Sequence, residues 1–202
     1  MSFQSLGFWA FLALALAVCL TAGRRSPRAG AALLTAASAL FYLLGPGGWT
    51  VVLGGLVCLL LGIGVTAWAV RRMGRDGGDR RRTLALACAY HIAVLAGFKY
   101  LGFFTGGAVD VGWAPLGLSF FTFQQLWLLK EVCTGEYVPA AGDSLLLYGL
   151  FFPTVTSGPI LRPEGFFPQL RGESFLRPDW SDAAAGVYAI CCGTIKKVLL
   201  AD

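Results

Sequence analysis

The sequence contains little charge and few residues of the types that bind metal ions. Only 13% of its 202 residues are charged, and His91 is its single histidine. None of the six cysteines forms a Cys-x-x-Cys pair, so a zinc site would have too few ligands. We therefore expect no metal site and no tightly bound cofactor, and we interpret most of the cysteines as small apolar residues.

The low charge is accompanied by an excess of apolar residues. Hydrophobic residues make up 56% of the chain. Counted with glycine and without tyrosine, the apolar share is about 66%, whereas soluble globular chains have about 45–50%. This composition excludes an ordinary soluble domain, and it also excludes disorder because so apolar a chain has ample surface to bury. An integral membrane protein is the class that fits.

Long uncharged runs predict where the chain crosses the bilayer. No charged residue occurs in 1–23 or in 29–70. As a helix, the second run would be about 63 Å long, twice the hydrocarbon thickness of about 30 Å, so we expect two crossings joined by the glycine-rich turn at 45–48. A fourth apolar segment begins at Thr83. The predicted spanning helices are 6–22, 29–44, 49–70 and 83–105.

The arginines predict the orientation of these helices. Three arginines lie in the loop 23–28 and six in the loop 71–82, whereas the turn at 45–48 has none. The positive-inside rule then places both arginine-rich loops in the cytoplasm and the N-terminus outside, in a multipass protein of the cell membrane. The alternative is a patch for nucleic acid or anionic lipid. No aromatic residue lies among these arginines, so we favour topology and expect no nucleic-acid partner.

The second half of the chain has shorter apolar segments, at 116–129, 145–161 and 183–195. Lengths of 13–17 residues are short for simple crossings and favour broken or re-entrant helices shielded by protein. The predicted fold class is therefore an all-α integral membrane protein, a multipass helical bundle with broken or re-entrant helices in its second half. No linker divides the chain, so 1–202 is expected to form a single membrane domain.

The segment 151–170 has the strongest functional signal. Its four prolines interrupt regular helix, and the backbone exposed at such a break must be covered by protein or line a watered cavity. Arg162 follows the break directly, and an arginine at membrane depth needs an interface, an acidic partner such as Glu164, or an anionic ligand such as a lipid headgroup. The alternative is a structural hinge with an interfacial arginine.

The segment 115–135 is predicted to form a helix with two polar stripes. Ser119 and Thr122 share one stripe with Lys130, while Gln124 and Glu131 lie on another. Such a helix faces a cavity or polar partners on both sides. Alternatively, the hydroxyls bond back to their own helix, and Lys130 and Glu131 mark the membrane edge. The candidate cavity-lining or substrate-binding residues of the two segments are Ser119, Thr122, Gln124, Ser157, Gly158, Pro159 and Arg162.

Four segments together carry a family resemblance: 98–104, 115–125, 151–170 and 193–202. In this order they resemble the membrane-bound O-acyltransferase (MBOAT) family, in particular its alginate O-acetyltransferase-like branch. The resemblance implies transfer of an acyl group, in this branch acetyl, from a cytoplasmic donor such as acetyl-CoA or an acyl carrier to hydroxyls of an extracytoplasmic polysaccharide or carrier. It also implies that 1–105 holds four spanning helices, that 115–202 begins the acyltransferase core, and that a periplasmic or extracellular acyltransferase is a possible partner.

The sequence departs from the family pattern in two places. After Gln125 the branch usually has an aspartate, a tyrosine and a basic residue, where this chain has Glu131, Cys133 and Thr134. The family's catalytic histidine belongs to a later helix, and His91 does not match it. His91 has no acidic residue within one helical turn, so we interpret it as a core histidine and assign no catalytic residue to this chain.

Three functional hypotheses follow. The chain is the N-terminal portion of a multipass acyltransferase; or it is a non-catalytic remnant or split half that needs a partner to supply the histidine; or it is a transporter-like module with a re-entrant binding segment.

Overall fold

A computed structural model describes residues 6–23, 26–74, 79–108, 112–140, 143–156, 158–172 and 179–196. Throughout these ranges the regular secondary structure is helical. Ser157, parts of both arginine-rich loops (24–25 and 75–78) and the end of the segment 193–202 lie outside the described residues. The described residues form ten helices: α1 (Leu6–Gly23), α2 (Pro27–Leu43), α3 (Trp49–Met73), α4 (Arg80–Lys99), α5 (Leu101–Phe104), α6 (Leu118–Thr134), α7 (Leu145–Leu150), α8 (Phe152–Val155), α9 (Pro163–Arg171) and α10 (Trp180–Lys196).

The first three helices and the start of the fourth lie within three residues of their predicted bounds, but the predicted end of the fourth helix at 105 is wrong. Helix α4 starts at Arg80 because the Asp79 carboxylate caps it, accepting a hydrogen bond from the Arg82 N–H at 3.1 Å. It ends at Lys99, and α5 follows as a separate turn. Phe103 and Phe104 of α5 are largely exposed, so this turn lacks the packing that extends helices in proteins.

One helix in the described ranges, α3, is long and apolar enough to cross a membrane, with 25 residues and a mean hydropathy of 2.3 over its most apolar stretch. Helices α1 and α2 have shorter apolar stretches, and α4 carries arginines at its start and Lys99 at its end. Of the four predicted crossings, one is therefore matched in both length and composition.

Helix α6 lies at the centre of the fold. It packs against α3, α4, α7 and α8. Nine of its 17 residues are buried, among them Thr122, Gln124, Gln125 and Glu131. The stripe with Gln124 and Glu131 is buried, whereas on the other stripe Thr122 is buried, Ser119 is half-buried and Lys130 is exposed.

The predicted break within 145–161 is also confirmed. Helix α7 ends at Leu150, and Pro153 lies in the first turn of α8, where its missing N–H leaves no bond unmade. The N–H of Phe152, which continuous helix would have bonded, instead donates to the Ser38 hydroxyl of α2 at 3.2 Å. The Phe152 ring is buried against Phe11 and Phe41. The break is thus held to α1 and α2 by one hydrogen bond and two aromatic contacts.

Helix α10 covers the segment predicted at 183–195 and has no buried residue. Its Cys191 side chain is exposed, and the cysteines in the described part of the chain are all free thiols. The interpretation of the cysteines as core residues holds for Cys19, which is buried, and is wrong for Cys191, because its side chain lies on an exposed face of α10.

Candidate functional site

The broken segment is tied to α6 by side chains that satisfy its carbonyl groups. Gln124 donates from Nε2 to the Tyr148 carbonyl at 2.6 Å, and the Tyr148 hydroxyl donates to the Leu161 carbonyl at 2.7 Å. Tyr148 is fully buried and its ring stacks on Phe167 of α9. Because buried carbonyls freed by a helix break need partners, these bonds account for the stability of the irregular backbone.

Two glycines allow the break to approach its neighbours closely. Gly117 precedes α6 with φ +73°, and a Cβ there would lie 1.8 Å from the Val155 carbonyl oxygen. At Gly158, a Cβ would lie 2.4 Å from the Cα of Thr154. Any other residue at either position would push the end of α8 away from its neighbour.

Beside the break, a groove of about 350 Å³ opens between α2 and α9. We call it the α9 groove; its walls include Leu34, Phe151, Ile160, Leu161, Phe166 and Leu170, and Arg162 and Gln169 are polar residues in its lining. The Arg162 side chain is exposed, and its guanidinium carbon lies 5.6 Å from the centre of the Trp127 ring. This distance is typical of a cation–π contact.

A lysine approaches the same tryptophan but has acidic partners. Lys130 Nζ lies 5.7 Å from the Trp127 ring, 3.1 Å from Glu131 Oε1 and 2.6 Å from Glu136 Oε2. The hydrogen bond from Lys130 lowers the pKa of the Glu136 carboxyl below its ordinary value. No described carboxylate lies within 4 Å of the Arg162 guanidinium. Of the two cations beside Trp127, Arg162 is therefore the one open to an external anion.

The structure does not bring the predicted site residues into one cavity. Arg162 lines the α9 groove, whereas Gln124 and Thr122 are buried in the core and Ser119 is half-buried. Gly158 packs against α8 and Pro159 is exposed. Ser157 lies outside the described residues. The groove and the polar face of α6 are thus distinct features on either side of the break.

His91 of α4 is buried, at 2% exposure, and faces α3 and α6. Its Nε2 is hydrogen bonded to the Thr66 hydroxyl at 3.0 Å, and its ring lies 6.0 Å from that of Phe121. The interpretation of His91 as a core histidine is confirmed, and His91 does not line the α9 groove.

A cluster that sequence reasoning missed joins the α6–α7 loop to the end of α9. The Asp143 carboxylate, 2% exposed, accepts hydrogen bonds from the Tyr137 hydroxyl and, at 2.7 Å, from the Ala140 N–H. Its other oxygen lies 2.9 Å from Arg171 Nε, and Arg171 also donates to the Tyr137 hydroxyl at 3.1 Å. Burial, and next the bond to Asp143, raise the pKa of Tyr137, so this phenol stays a donor at neutral pH.

Comparison with known proteins gives one informative relative. The chain is 25% identical to a protein named peptidoglycan O-acetyltransferase from Helicobacter pylori (strain ATCC 700392 / 26695). The chain is similar to an acetyltransferase. The alignment spans 158 positions and covers 61% of this chain but 30% of the relative's length. No family model matches the chain, and no solved structure matches it.

Proposed function

We propose that this protein is part of a membrane-bound O-acyltransferase that transfers acetyl groups to hydroxyls of a cell-wall or other extracytoplasmic polysaccharide. The observation that carries the proposal is the similarity to the peptidoglycan O-acetyltransferase. The four ordered segments described above support assignment to the MBOAT family and to its alginate O-acetyltransferase-like branch. The alignment covers 30% of the relative's length. We therefore propose complete acetyl transfer for these residues together with further protein, and not for these residues alone.

The proposed location is the cell membrane. Helix α3 meets the length and composition of a spanning helix, and α1 and α2 have shorter apolar stretches, Leu6–Thr21 and Arg28–Leu43. Four crossings by α1–α4 place both arginine-rich loops in the cytoplasm and the turn between α2 and α3 outside. The acyl donor, acetyl-CoA or an acyl carrier, would then approach from the arginine-rich side and the acceptor from the opposite side.

The proposed reaction is a single acyl transfer. The acceptor hydroxyl oxygen forms an ester bond to the acyl carbon, the bond from that carbon to the donor's sulfur breaks, and the hydroxyl proton passes to a general base. His91 is bonded in the core and is not assigned this role. We propose that the base belongs to protein outside these 202 residues, either further sequence or a partner acyltransferase chain.

The contribution proposed for these residues is to shape the substrate path beside the break. Gln124 fixes α7 through the Tyr148 carbonyl, and Gly158 allows the chain to turn tightly before Pro159. Arg162 offers a guanidinium without a described acidic partner. Ser119, Thr122 and Ser157 complete the set of proposed path residues.

The proposal is tested by measuring ester-linked acetate released from cell-wall polysaccharide by mild base. Deleting the gene should lower this acetate, and the native gene should restore it. Arg162→Ala should restore about tenfold less, because a charge-assisted hydrogen bond to an anionic group is lost, while the amount of protein in the membrane stays unchanged. Lys99→Ala, which alters an exposed lysine at the end of α4, is the matched control and should restore fully.

Unchanged acetate after deletion would overturn the proposed function. If deletion lowers the acetate but Arg162→Ala restores it fully, the function stands and the role of Arg162 is wrong.

A further inference from the structure

The α9 groove combines apolar walls with a cation. Aromatic and aliphatic side chains from α2, the break and α9 form the walls. The polar side chains in its lining are the exposed guanidinium of Arg162 and the amide of Gln169. A groove of about 350 Å³ is at the lower end of the sizes that hold small-molecule ligands. This arrangement suits a ligand with an apolar chain and an anionic head.

The guanidinium is held in position for such a head. The guanidinium carbon of Arg162 lies 5.6 Å from the centre of the Trp127 ring, a contact that occupies no acceptor and so leaves the guanidinium N–H donors available to an anion. Lys130, on the same tryptophan, is already bonded to two carboxylates. Glu164, two residues after Arg162, is exposed and forms no ion pair with it within the described ranges. An anion at the groove therefore meets one cation whose charge is not already compensated.

We propose that the α9 groove binds an anionic phospholipid of the surrounding bilayer, with an acyl chain along the phenylalanine and leucine walls and the phosphate on Arg162. Tryptophan beside arginine is the composition that proteins place at the level of lipid headgroups. A soluble phosphate would leave the apolar walls uncovered and would have few donors besides Arg162. The chemistry of the whole groove therefore favours a lipid over a free anion.

This inference rests on the membrane location in the proposed function and is independent of acyl transfer. A lipid-binding assay gives a result whether or not acyl transfer is detected, so failures of the two proposals can be told apart.

The experiment is native mass spectrometry of the purified protein in an uncharged detergent. Phosphatidylglycerol and phosphatidylcholine with identical acyl chains are titrated separately, and pyrophosphate is then added as a soluble competitor. We expect phosphatidylglycerol to bind about tenfold more tightly than phosphatidylcholine, because only the former has net negative charge to pair with Arg162. Pyrophosphate at the same concentration as the lipid should not displace the bound phosphatidylglycerol.

Two variants test the two halves of the groove. Arg162→Gln should weaken phosphatidylglycerol binding about tenfold and phosphatidylcholine binding less, because the choline cation already offsets the phosphate charge of phosphatidylcholine. Gly165→Leu should weaken both lipids, since a side chain at Gly165 starts in open space and extends into the groove. The controls are Lys99→Gln, a second exposed cation, and Gly186→Leu, a glycine of α10 that is equally open. Both controls should bind as the unaltered protein does.

Equal affinity for the two lipids, or unchanged phosphatidylglycerol binding in Arg162→Gln, would overturn the proposal. Displacement by pyrophosphate would assign the site to a soluble phosphate compound and would likewise overturn the lipid assignment.

Discussion

At the residue scale, two glycines have the same backbone conformation and different surroundings. Gly117 and Gly135 flank α6 with φ +73° and +80°. A Cβ at Gly135 would meet nothing within 4 Å, whereas at Gly117 it would overlap the Val155 carbonyl oxygen. Gly135→Ala should cost about 1–2 kcal/mol from the left-handed conformation alone. Gly117→Ala should cost at least about 3 kcal/mol, because the end of α8 must also move.

Equilibrium unfolding of the purified protein in mixed detergent micelles, followed by circular dichroism, measures both costs. Equal losses of stability in the two variants would contradict the prediction that a side chain at Gly117 displaces the end of α8.

Two adjacent glutamines provide a second comparison. Gln124 donates to the Tyr148 carbonyl, while Nε2 of the neighbouring Gln125 is buried without a hydrogen-bond partner. Gln124→Met should destabilise by about 1–3 kcal/mol, since a buried carbonyl loses its donor. Gln125→Met should be neutral or stabilising, because it removes a donor that has no partner. The same unfolding assay measures both variants. If Gln125→Met lost as much stability as Gln124→Met, the difference in hydrogen bonding between the two glutamines would be contradicted.

These residues also show what the sequence allows one to predict. Helical spacing placed Gln124 on a polar stripe of α6 and correctly required a partner for it. Spacing carries no information about the partner, which is a backbone carbonyl 24 positions away rather than a substrate. The same limit applies to Arg162, whose position after the prolines was evident but whose contact with Trp127 depends on how α6 and α9 pack.

At the element scale, local signals predicted the break but not what holds it. Prolines are local signals, so the interruption between α7 and α9 could be predicted from sequence. Ser38 and Asp143 hold the surrounding elements by bonds across long sequence separations, to Phe152 and Arg171 respectively. Nothing in the pattern around either residue identifies these partners. The position of the break can therefore be predicted from sequence, whereas the contacts that hold it cannot.

We expect the ion pair and hydrogen bonds of Asp143 to stabilise α9 against local unfolding. Asp143→Asn removes the negative charge that pairs with Arg171 and weakens the bond to Tyr137. In the variant, local opening of α9 no longer has to break this ion pair, so the free energy of opening falls. We therefore expect amide hydrogen exchange in α9 to become about tenfold faster. Hydrogen-exchange mass spectrometry measures this by peptide. Asp179→Asn is the matched control; Asp179 bonds to Ser181 at the start of α10, so any change should be confined there.

Unchanged exchange in α9 of Asp143→Asn would show that its aromatic contacts alone, such as Phe167 on Tyr148, keep it in place.

At the scale of the whole molecule, composition and arginine distribution constrain the protein more strongly than any single helix does. The apolar share of the sequence predicts a membrane protein, and one helix among those described is long and apolar enough to span a bilayer. Helices α1 and α2 would cross only with their polar ends close to the interfaces, since a 17-residue helix is about 26 Å long. The proposed orientation then depends on how the arginines are distributed along the entire chain.

That orientation can be tested by cysteine labelling in a background where the six native cysteines are replaced. Gly48→Cys lies in the α2–α3 turn, where a Cβ meets open space, and Arg81→Cys lies at the exposed start of α4. A membrane-impermeant maleimide should label position 48 in intact spheroplasts and position 81 only after permeabilisation. Leu61→Cys, exposed at the middle of α3, is the control and should stay unlabelled in both, because a thiolate does not form in hydrocarbon. Labelling of position 81 in intact spheroplasts would reverse the topology, and labelling of position 61 would place α3 outside the membrane.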